Sequence, residues 1–371
     1  MKKIKVLQVN KLYYPVTGGI EKVVQEIAEG LNDKTDMKVL VCKQKGKSVV
    51  EKINGVTVYR AGSFGVLFSM PISLSFFIQF WKLSKDRDVV HFHMPFPLGD
   101  LACLLSRYKG KVVVWWHSDI VKQKKLMFFY RPIMDRFLKR ADIIIVATKG
   151  HIDGSKYLPK YRDKCVIIPF GVDKNLEKRG DEYIKNHSLY TPHKPIFLFV
   201  GRLVYYKGCD ILLEAFAKTK GAELVIIGSG ELEENLIERS KELKLDSRVH
   251  FRGNVDESEL IKAFENCDVF ILPSVERSEA FGLVQIEAMA YGKPVINTNL
   301  PSGVPFVSID KVTGLTVKPN DVQALADAIQ WMIDHEKERI EMGKRAKQRV
   351  KELYQLDNML ENIMNVYNTL V

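Results

Sequence analysis

Cysteine is sparse in these 371 residues, and Cys42, Cys103, Cys165, Cys209 and Cys267 lie far apart with no CxxC pair among them. An odd, dispersed set without a histidine at ligand spacing points to a reducing compartment and argues against a structural metal. No G-x-G-x-x-G fingerprint opens a helix, which argues against a nicotinamide-linked oxidoreductase. The start, MKKIKVLQVN, is basic but lacks the long apolar stretch and small-residue cleavage site of a signal peptide. It reads as the first β-strand of a cytoplasmic protein. The stretch Ala61–Trp81 carries no charge and has the length of a membrane span. It also holds two glycines, a proline and several serines, so it reads as a loop and a buried helix, with contact at a membrane surface as the alternative.

What is present is an ordinary globular composition, 46% hydrophobic and 27% charged, which excludes a disordered chain. The length favours two domains. In the first half, Lys5–Asn10, Lys38–Cys42, Asp88–His93, Lys111–His117, Ala141–Thr148 and Cys165–Gly171 read as short apolar strands. Gly19–Leu31, with Ile20, Val23, Val24, Ile27 and Leu31 at helical spacing, reads as a helix. Such strands belong to a parallel sheet covered on both faces. After a polar stretch the pattern restarts at Pro195, with six more strands separated by helices, and Lys344–Leu370 reads as one long terminal helix. The expected fold class is α/β, with two Rossmann-like, doubly wound domains facing a central cleft. Residues 1–175 form the first domain, 176–194 a linker and 195–345 the second. Ligands of such sheets bind at the carboxyl ends of the strands.

The densest chemistry lies in EAFGLVQIEAMAYGKPV. Glu279 sits on a loop and Glu287 on the following helix, so the two carboxylates can reach different parts of one long ligand, such as a sugar ring and a ribose diol. Phe281, Gly282 and Leu283 lead into that helix, whose first-turn N–H groups suit a phosphate. Two solvated surface glutamates fit this apolar, small-residue segment poorly. In VGRLVYYKG, Arg202 and Lys207 follow a strand and precede a helix. A planar fork and a point charge placed there can clamp a diphosphate.

Gly18 and Gly19 join the first strand to its helix, where glycine permits a tight turn and close backbone approach to a ligand. His117, in WWHSDI, ends the fourth strand and is read either as structural or as a contact to sugar or acceptor. His91 and His93 form an HxH pair with no third metal ligand at readable spacing, so their segment is assigned to an acceptor-side loop. Gly228, Ser229 and Gly230, with Asn254 and Val255, follow second-half strands and line the expected rim for a base. The net charge is +11. Val121–Arg131, VKQKKLMFFYR, sets four cations among apolar and aromatic residues. It reads as a solvated helix face, or as a patch for anionic lipid or a pyrophosphate-linked acceptor. Nucleic acid is disfavoured because no recognised module accompanies the charge.

Taken in order, the GG loop, HSD, PFGVD, VGRLVYYKG, IIGSGELE, FRGNVDES, EAFGLVQIEAMAYGKPVI and VTGLTV resemble the retaining GT-B glycosyltransferases, a group that includes bacterial O-antigen mannosyl- and rhamnosyltransferases. The likeness covers nearly the whole chain, and the E-x7-E segment with its upstream R-x4-K pair is its most specific part. The resemblance implies that Glu279 binds hydroxyls of the transferred sugar and Glu287 the nucleotide ribose. It implies that Arg202 and Lys207 stabilise the departing diphosphate, that backbone at Phe281–Leu283 and Gly19 touches phosphate and sugar, and that His117 lies beside the anomeric centre. It further implies a metal-independent reaction and a final helix, 346–371, that packs back onto the first domain.

The implied donor is GDP-mannose, with a UDP-sugar (glucose, galactose or N-acetylglucosamine) as the alternative. The implied acceptor is a polyprenyl-pyrophosphate-linked glycan at the inner face of the plasma membrane, reached through the basic and aromatic surface. Lys149 and Gly150 depart from the Ser and Pro common in relatives, which leaves the acceptor contacts open. A nucleotide-sugar epimerase or a phosphorylase fits the same fold, and a non-enzymatic lipid- or nucleic-acid-binding module would rest on charge alone.

Overall fold

Apolar runs and amphipathic helices alternate along the chain, and in the computed structural model each run lies in a sheet. The described residues are 3–16, 18–67, 70–120, 124–186 and 194–371. They divide into two units, one of residues 1–169 and 357–371, the other of residues 170–356.

The first unit contains β1 (Ile4–Val9), α1 (Gly19–Leu31), β2 (Thr35–Cys42), β3 (Val49–Ile53), β4 (Val56–Ala61), β5 (Val66–Leu67), β6 (Met70–Pro71), α2 (Leu74–Ser84), β7 (Val89–Met94), α3 (Pro97–Ser106), β8 (Lys111–Trp116), α4 (Lys124–Arg140), β9 (Ile143–Val146), α5 (Lys149–Asp153) and β10 (Cys165–Ile167). The main sheet runs β10-β9-β8-β7-β1-β2-β4-β3, parallel except for the edge strand β3. α1 turns Val23, Val24, Ile27, Ala28 and Leu31 inward, as its 3.6-residue spacing requires. The sequence reading had no strand between Cys42 and Asp88. The signal was there: Asn54 and Gly55 both take positive φ and form the β3–β4 turn, the pair a two-residue hairpin favours.

The uncharged run Ala61–Trp81 resolves into the end of β4, the β5–β6 hairpin and most of α2. Ser73 caps α2 by accepting from the Phe76 N–H. Phe76 and Phe80 are buried, while Leu74, Ile78 and Trp81 are exposed. The helix is therefore half-buried rather than buried. Among the described residues no helix is long and apolar enough to cross a membrane.

The second unit contains α6 (Lys174–Asn186), β11 (Ile196–Val200), α7 (Cys209–Ala217), β12 (Glu223–Ile227), α8 (Glu233–Glu242), β13 (Val249–Phe251), α9 (Glu257–Asn266), β14 (Val269–Leu272), α10 (Leu283–Ala290), β15 (Val295–Thr298), α11 (Val304–Val307), β16 (Gly314–Val317), α12 (Val322–Asp334) and α13 (Glu336–Leu353). Its all-parallel sheet runs β13-β12-β11-β14-β15-β16, the order 3-2-1-4-5-6 of a Rossmann fold. The order reverses between β11 and β14 here, and between β1 and β7 in the first unit. Of the expected linker, residues 187–193 lie outside the described residues.

The expected single helix Lys344–Leu370 is two helices, α13 and α14 (Leu356–Leu370). The break has a hydrogen-bonding cause. Val172 N–H donates to the Tyr354 carbonyl at 2.8 Å and the Leu356 N–H donates to the Val172 carbonyl at 3.2 Å, so a short bridge replaces helical bonds at Tyr354–Gln355. α14 then buries Met359, Leu360, Ile363, Val366 and Tyr367, and residues 357–371 belong to the first unit.

Gly343 lies inside α13, where alanine is ordinarily better by about 1 kcal/mol. A Cβ at this position would overlap the Gly292 carbonyl oxygen, a backbone atom. Gly343→Ala is therefore expected to reverse the usual sign, costing about 1–3 kcal/mol by overpacking. Calorimetry should show a lower melting midpoint, and an unchanged or higher one would disprove this close approach of α13 to the Gly292 turn.

Candidate active site

The loops that leave β11 and β14 flank the point where the second sheet reverses its order, the place where open α/β sheets hold ligands. From β11 the chain passes Arg202 to a single 3-10 turn, Tyr205–Lys207, and then to α7. Gly208 takes φ +68, and a Cβ there would overlap the Pro273 carbonyl oxygen. The Val275 N–H donates to the Tyr206 carbonyl at 2.8 Å. These contacts lock the two loops together and bring the Lys207 ammonium to 2.5 Å from a Glu279 carboxylate oxygen.

Both side chains of this pair are 11% exposed. Burial alone pulls the Lys207 ammonium down. The Glu279 carboxylate, by its charge and its hydrogen bond, outweighs that effect and holds Lys207 above the ordinary lysine value. Ser274 Oγ donates to the same Glu279 oxygen at 3.2 Å, and Thr298 Oγ1 donates to the Ser274 carbonyl at 2.6 Å. Arg202 is exposed, and its guanidinium donates to Tyr206 Oη at 3.0 Å. The Tyr206 ring lies 5.7 Å from the Lys207 nitrogen. One buried cation and one exposed cation thus flank a tyrosine beside a buried carboxylate, an arrangement able to receive an anion and a hydroxyl-rich group together. Ser274 and Tyr206 were missed in the sequence, and only their positions beside the charged residues could have marked them.

The remaining second-unit candidates lie on α10 and on the loops that follow β12, β13 and β14. Gly282 has φ +72 and precedes α10, so Leu283 opens a helix with free N–H groups. The Phe281 ring is core, packed edge-on against Phe170 and Tyr354 at 4.8 and 6.1 Å. Gln285 donates to the Phe281 carbonyl at 2.8 Å and is held by Asn297 Nδ2 at 2.9 Å. Glu287 is half-buried on α10. After β12, Gly228 has φ +125 and no room for a Cβ against the Gly201 carbonyl, while Gly230 likewise abuts the Leu203 carbonyl. Asn254 is exposed and Val255 half-buried, on the loop that follows β13.

In the first unit Gly18 is extended, with φ −174 and ψ 164. This conformation is open to any residue, so a tight turn does not explain the glycine. A side chain there would instead meet the Glu21 carboxylate, and Gly19 opens α1. Thr17 lies outside the described residues.

His117 follows β8 and is 5% exposed. The assignment of His91 and His93 to a loop is corrected: β7 runs on through Met94, and both rings are buried on one face of it. His91 stacks on His93 at 4.7 Å and His93 on His117 at 5.2 Å, with Trp115 parallel to all three. Burial pushes the His91 imidazole down to about 3 and holds those of His93 and His117 well below the ordinary value. All three are therefore neutral at physiological pH. Among the described residues no three His, Cys, Asp or Glu groups are placed to hold a metal ion. Of the basic segment, residues 121–123 lie outside the described residues, as do the side chains of 124–126.

With this geometry in hand, comparison with known proteins places the chain. The profile described as glycosyl transferases group 1 matches residues 181–349, and that described as glycosyltransferase family 4 matches residues 17–176. The chain is 34% identical over 372 residues to the O-antigen chain mannosyltransferase C of Escherichia coli, covering 99% of each. It is 35% identical over 353 residues to the D-rhamnosyltransferase WbpZ of Pseudomonas aeruginosa, covering 95% of this chain and 92% of that one. The chain belongs to this family of glycosyltransferases.

Among solved structures, sucrose-phosphate synthase from Thermosynechococcus elongatus superposes with a TM-score of 0.78 at 22% identity, covering 99% of both chains. HepE of Anabaena, solved in complex with UDP, superposes with a TM-score of 0.77 at 18% identity, covering 99% of this chain and all of that one. The fold is GT-B, built from two Rossmann-like domains.

Two outcomes follow from the electrostatics. Truncating one partner of a buried ion pair strands the other, at a cost of about 3–5 kcal/mol. Urea unfolding of ligand-free Lys207→Met and Glu279→Gln should show losses of that order, with the double variant losing less than their sum; strict additivity would disprove the coupling. For the histidines, burial depresses the folded pKa, so their stability is complete above the unfolded value near 6.5 and is lost as pH falls below it. Tryptophan fluorescence should report that the first unit unfolds at a progressively lower temperature from pH 7 to 4, taking up more than one proton; a flat profile contradicts neutral burial.

Proposed function

We propose that this glycosyltransferase is a retaining, metal-independent hexosyltransferase of bacterial cell-surface polysaccharide (O-antigen-type) synthesis. It takes mannose from GDP-mannose to a polyprenyl-pyrophosphate-linked or oligosaccharide acceptor. The carrying observation is the Lys207–Glu279 pair, buried at the switch point of the second sheet with Arg202 exposed beside it. In transfer the bond from the anomeric carbon to the β-phosphate oxygen breaks, and a bond from that carbon to the acceptor oxygen forms on the same face of the sugar. The acceptor's proton passes to the departing phosphate. Charge develops on the diphosphate, and that is where preorganised cations lower the barrier. Lys207 is already desolvated and fixed, so it needs no rearrangement; Arg202 adds a forked donor from the solvent side. Together they supply the positive charge a metal would otherwise provide.

Glu279 accepts hydrogen bonds from hydroxyls of the transferred sugar, Glu287 from the ribose diol, and the backbone of 281–283 and Gly19 donates to phosphate and sugar. Gly228, Asn254 and Val255 border the base. His117 touches a substrate hydroxyl. The names of the two full-length relatives favour mannose or its 6-deoxy counterpart, and the UDP complex of HepE supports a nucleotide-sugar donor and keeps a UDP-sugar as the second reading. Membrane contact is assigned to the first unit. Phe128 and Phe129 on α4 are 79% and 76% exposed, on the segment where the sequence concentrates its cations. Exposed aromatic side chains flanked in sequence by basic residues suit an anionic bilayer surface.

The test is transfer from GDP-mannose, GDP-D-rhamnose and UDP-glucose to a lipid-linked acceptor, with product anomers read by NMR. Mannose transfer with retention is expected. Arg202→Ala, being exposed, should keep the melting point and lose about 10²–10³-fold in kcat. Full activity of this variant, an inverted product, or donor consumption without acceptor would each overturn the assignment.

A further inference from the structure

The three stacked histidines do not stand alone. Gln8 and Tyr367 join them from β1 and α14, and every member of the chain is buried. Tyr367 Oη lies 2.7 Å from His91 Nδ1, and Gln8 Nε2 lies 3.0 Å from Tyr367 Oη and 3.3 Å from His91 Nδ1. Gln8 Oε1 lies 2.6 Å from His93 Nε2, and His93 Nδ1 lies 2.9 Å from His117 Nε2.

Donor and acceptor rules fix the order of protons along this chain. An amide oxygen only accepts, so His93 Nε2 must carry a hydrogen. His93 is neutral, so its Nδ1 is a lone pair, and the hydrogen in the bond to His117 belongs to His117 Nε2. His117 is also neutral, which leaves the lone pair on its own Nδ1. Turning the Gln8 amide over would reverse every step. The distances oppose that: 2.6 Å is too short for an amide N–H reaching a ring nitrogen, and 2.7 Å suits a hydroxyl donor better than a ring N–H. Tyr367 anchors the order, because its oxygen accepts from the Gln8 amide N–H while its hydrogen goes to His91.

We propose that Tyr367, through Gln8 and His93, sets the tautomer of His117, so that His117 meets substrate through an unprotonated Nδ1 and accepts a hydrogen bond from a sugar hydroxyl. This rests on the reading that His117 touches substrate. A phosphate oxygen has no hydrogen to give to such a nitrogen. His117 therefore reads a neutral hydroxyl and contributes nothing to the diphosphate, which falls to Arg202 and Lys207. Tyr367, Gln8 and His93 are positioning residues in this scheme.

The test is two-bond proton–nitrogen NMR of the intact protein labelled with 15N-histidine, with His117 assigned through His117→Gln. His93 and His117 are expected as Nε2–H tautomers in the wild type; a proton on His117 Nδ1 overturns the proposal without any variant. Tyr367→Phe removes the hydroxyl, and His117 should then average between tautomers while kcat/KM falls about tenfold, the worth of one hydrogen bond. An unchanged His117 signal in that variant removes Tyr367 from the role. Calorimetric titration separates the substrate reading from the proton order. His117→Gln should bind GDP as the wild type does and GDP-mannose about tenfold more weakly. Equal weakening for both overturns the hydroxyl assignment. Full transfer activity in His117→Gln, with the wild-type tautomer as expected, overturns the contact with substrate and leaves the proton order standing.

Discussion

A lysine ammonium held out of water beside one carboxylate organises the second domain's candidate site. Taking either charge out of solvent is costly, and the cost is offset only where geometry and further hydrogen bonds are good. Lys207 and Glu279 meet at 2.5 Å, and Ser274 satisfies the same carboxylate oxygen. Two loops distant in sequence must therefore keep their register for the pair to form. Under the proposed function the pair makes stability and chemistry one constraint, since the contact that holds the two loops together is also the one assigned to the donor's charge.

Glycine permits that register. Gly208 lies against the Pro273 carbonyl, Gly228 against the Gly201 carbonyl and Gly230 against the Leu203 carbonyl, each with no space for a Cβ. The loops at the carboxyl ends of β11, β12 and β14 thus pack backbone to backbone, which brings main-chain donors and acceptors to the rim of the sheet.

Much of this was legible in the amino-acid order. Apolar runs located all six strands of the second unit, and the spacing of Ile20, Val23, Val24, Ile27 and Leu31 located α1 with its observed ends. Charged residues next to strand ends marked Arg202, Lys207 and Glu279, because charge in an apolar, glycine-rich setting is costly unless used. Long-range pairings were not legible. Nothing near Gln8 announces Tyr367, 359 positions away, and nothing in the helical periodicity of 344–370 shows that Val172 interrupts it at Tyr354. The β3–β4 hairpin was overlooked although Asn54–Gly55 advertised it, since its edge strand exposes Val49 and Val50 and lacks the continuous apolar character that marked the inner strands.

The return of residues 357–371 to the first unit has a consequence for biosynthesis. Domains generally fold as units while the chain is being made. Here the amino-terminal domain emerges early without Ile363 and Tyr367, buried residues supplied some two hundred residues after its last strand. Until then the α1 surface around Gly30, which Leu360 covers in the finished molecule, stays open to water or to a chaperone. The contacts of Gln8 and His91 with Tyr367 likewise form only after translation has passed that residue.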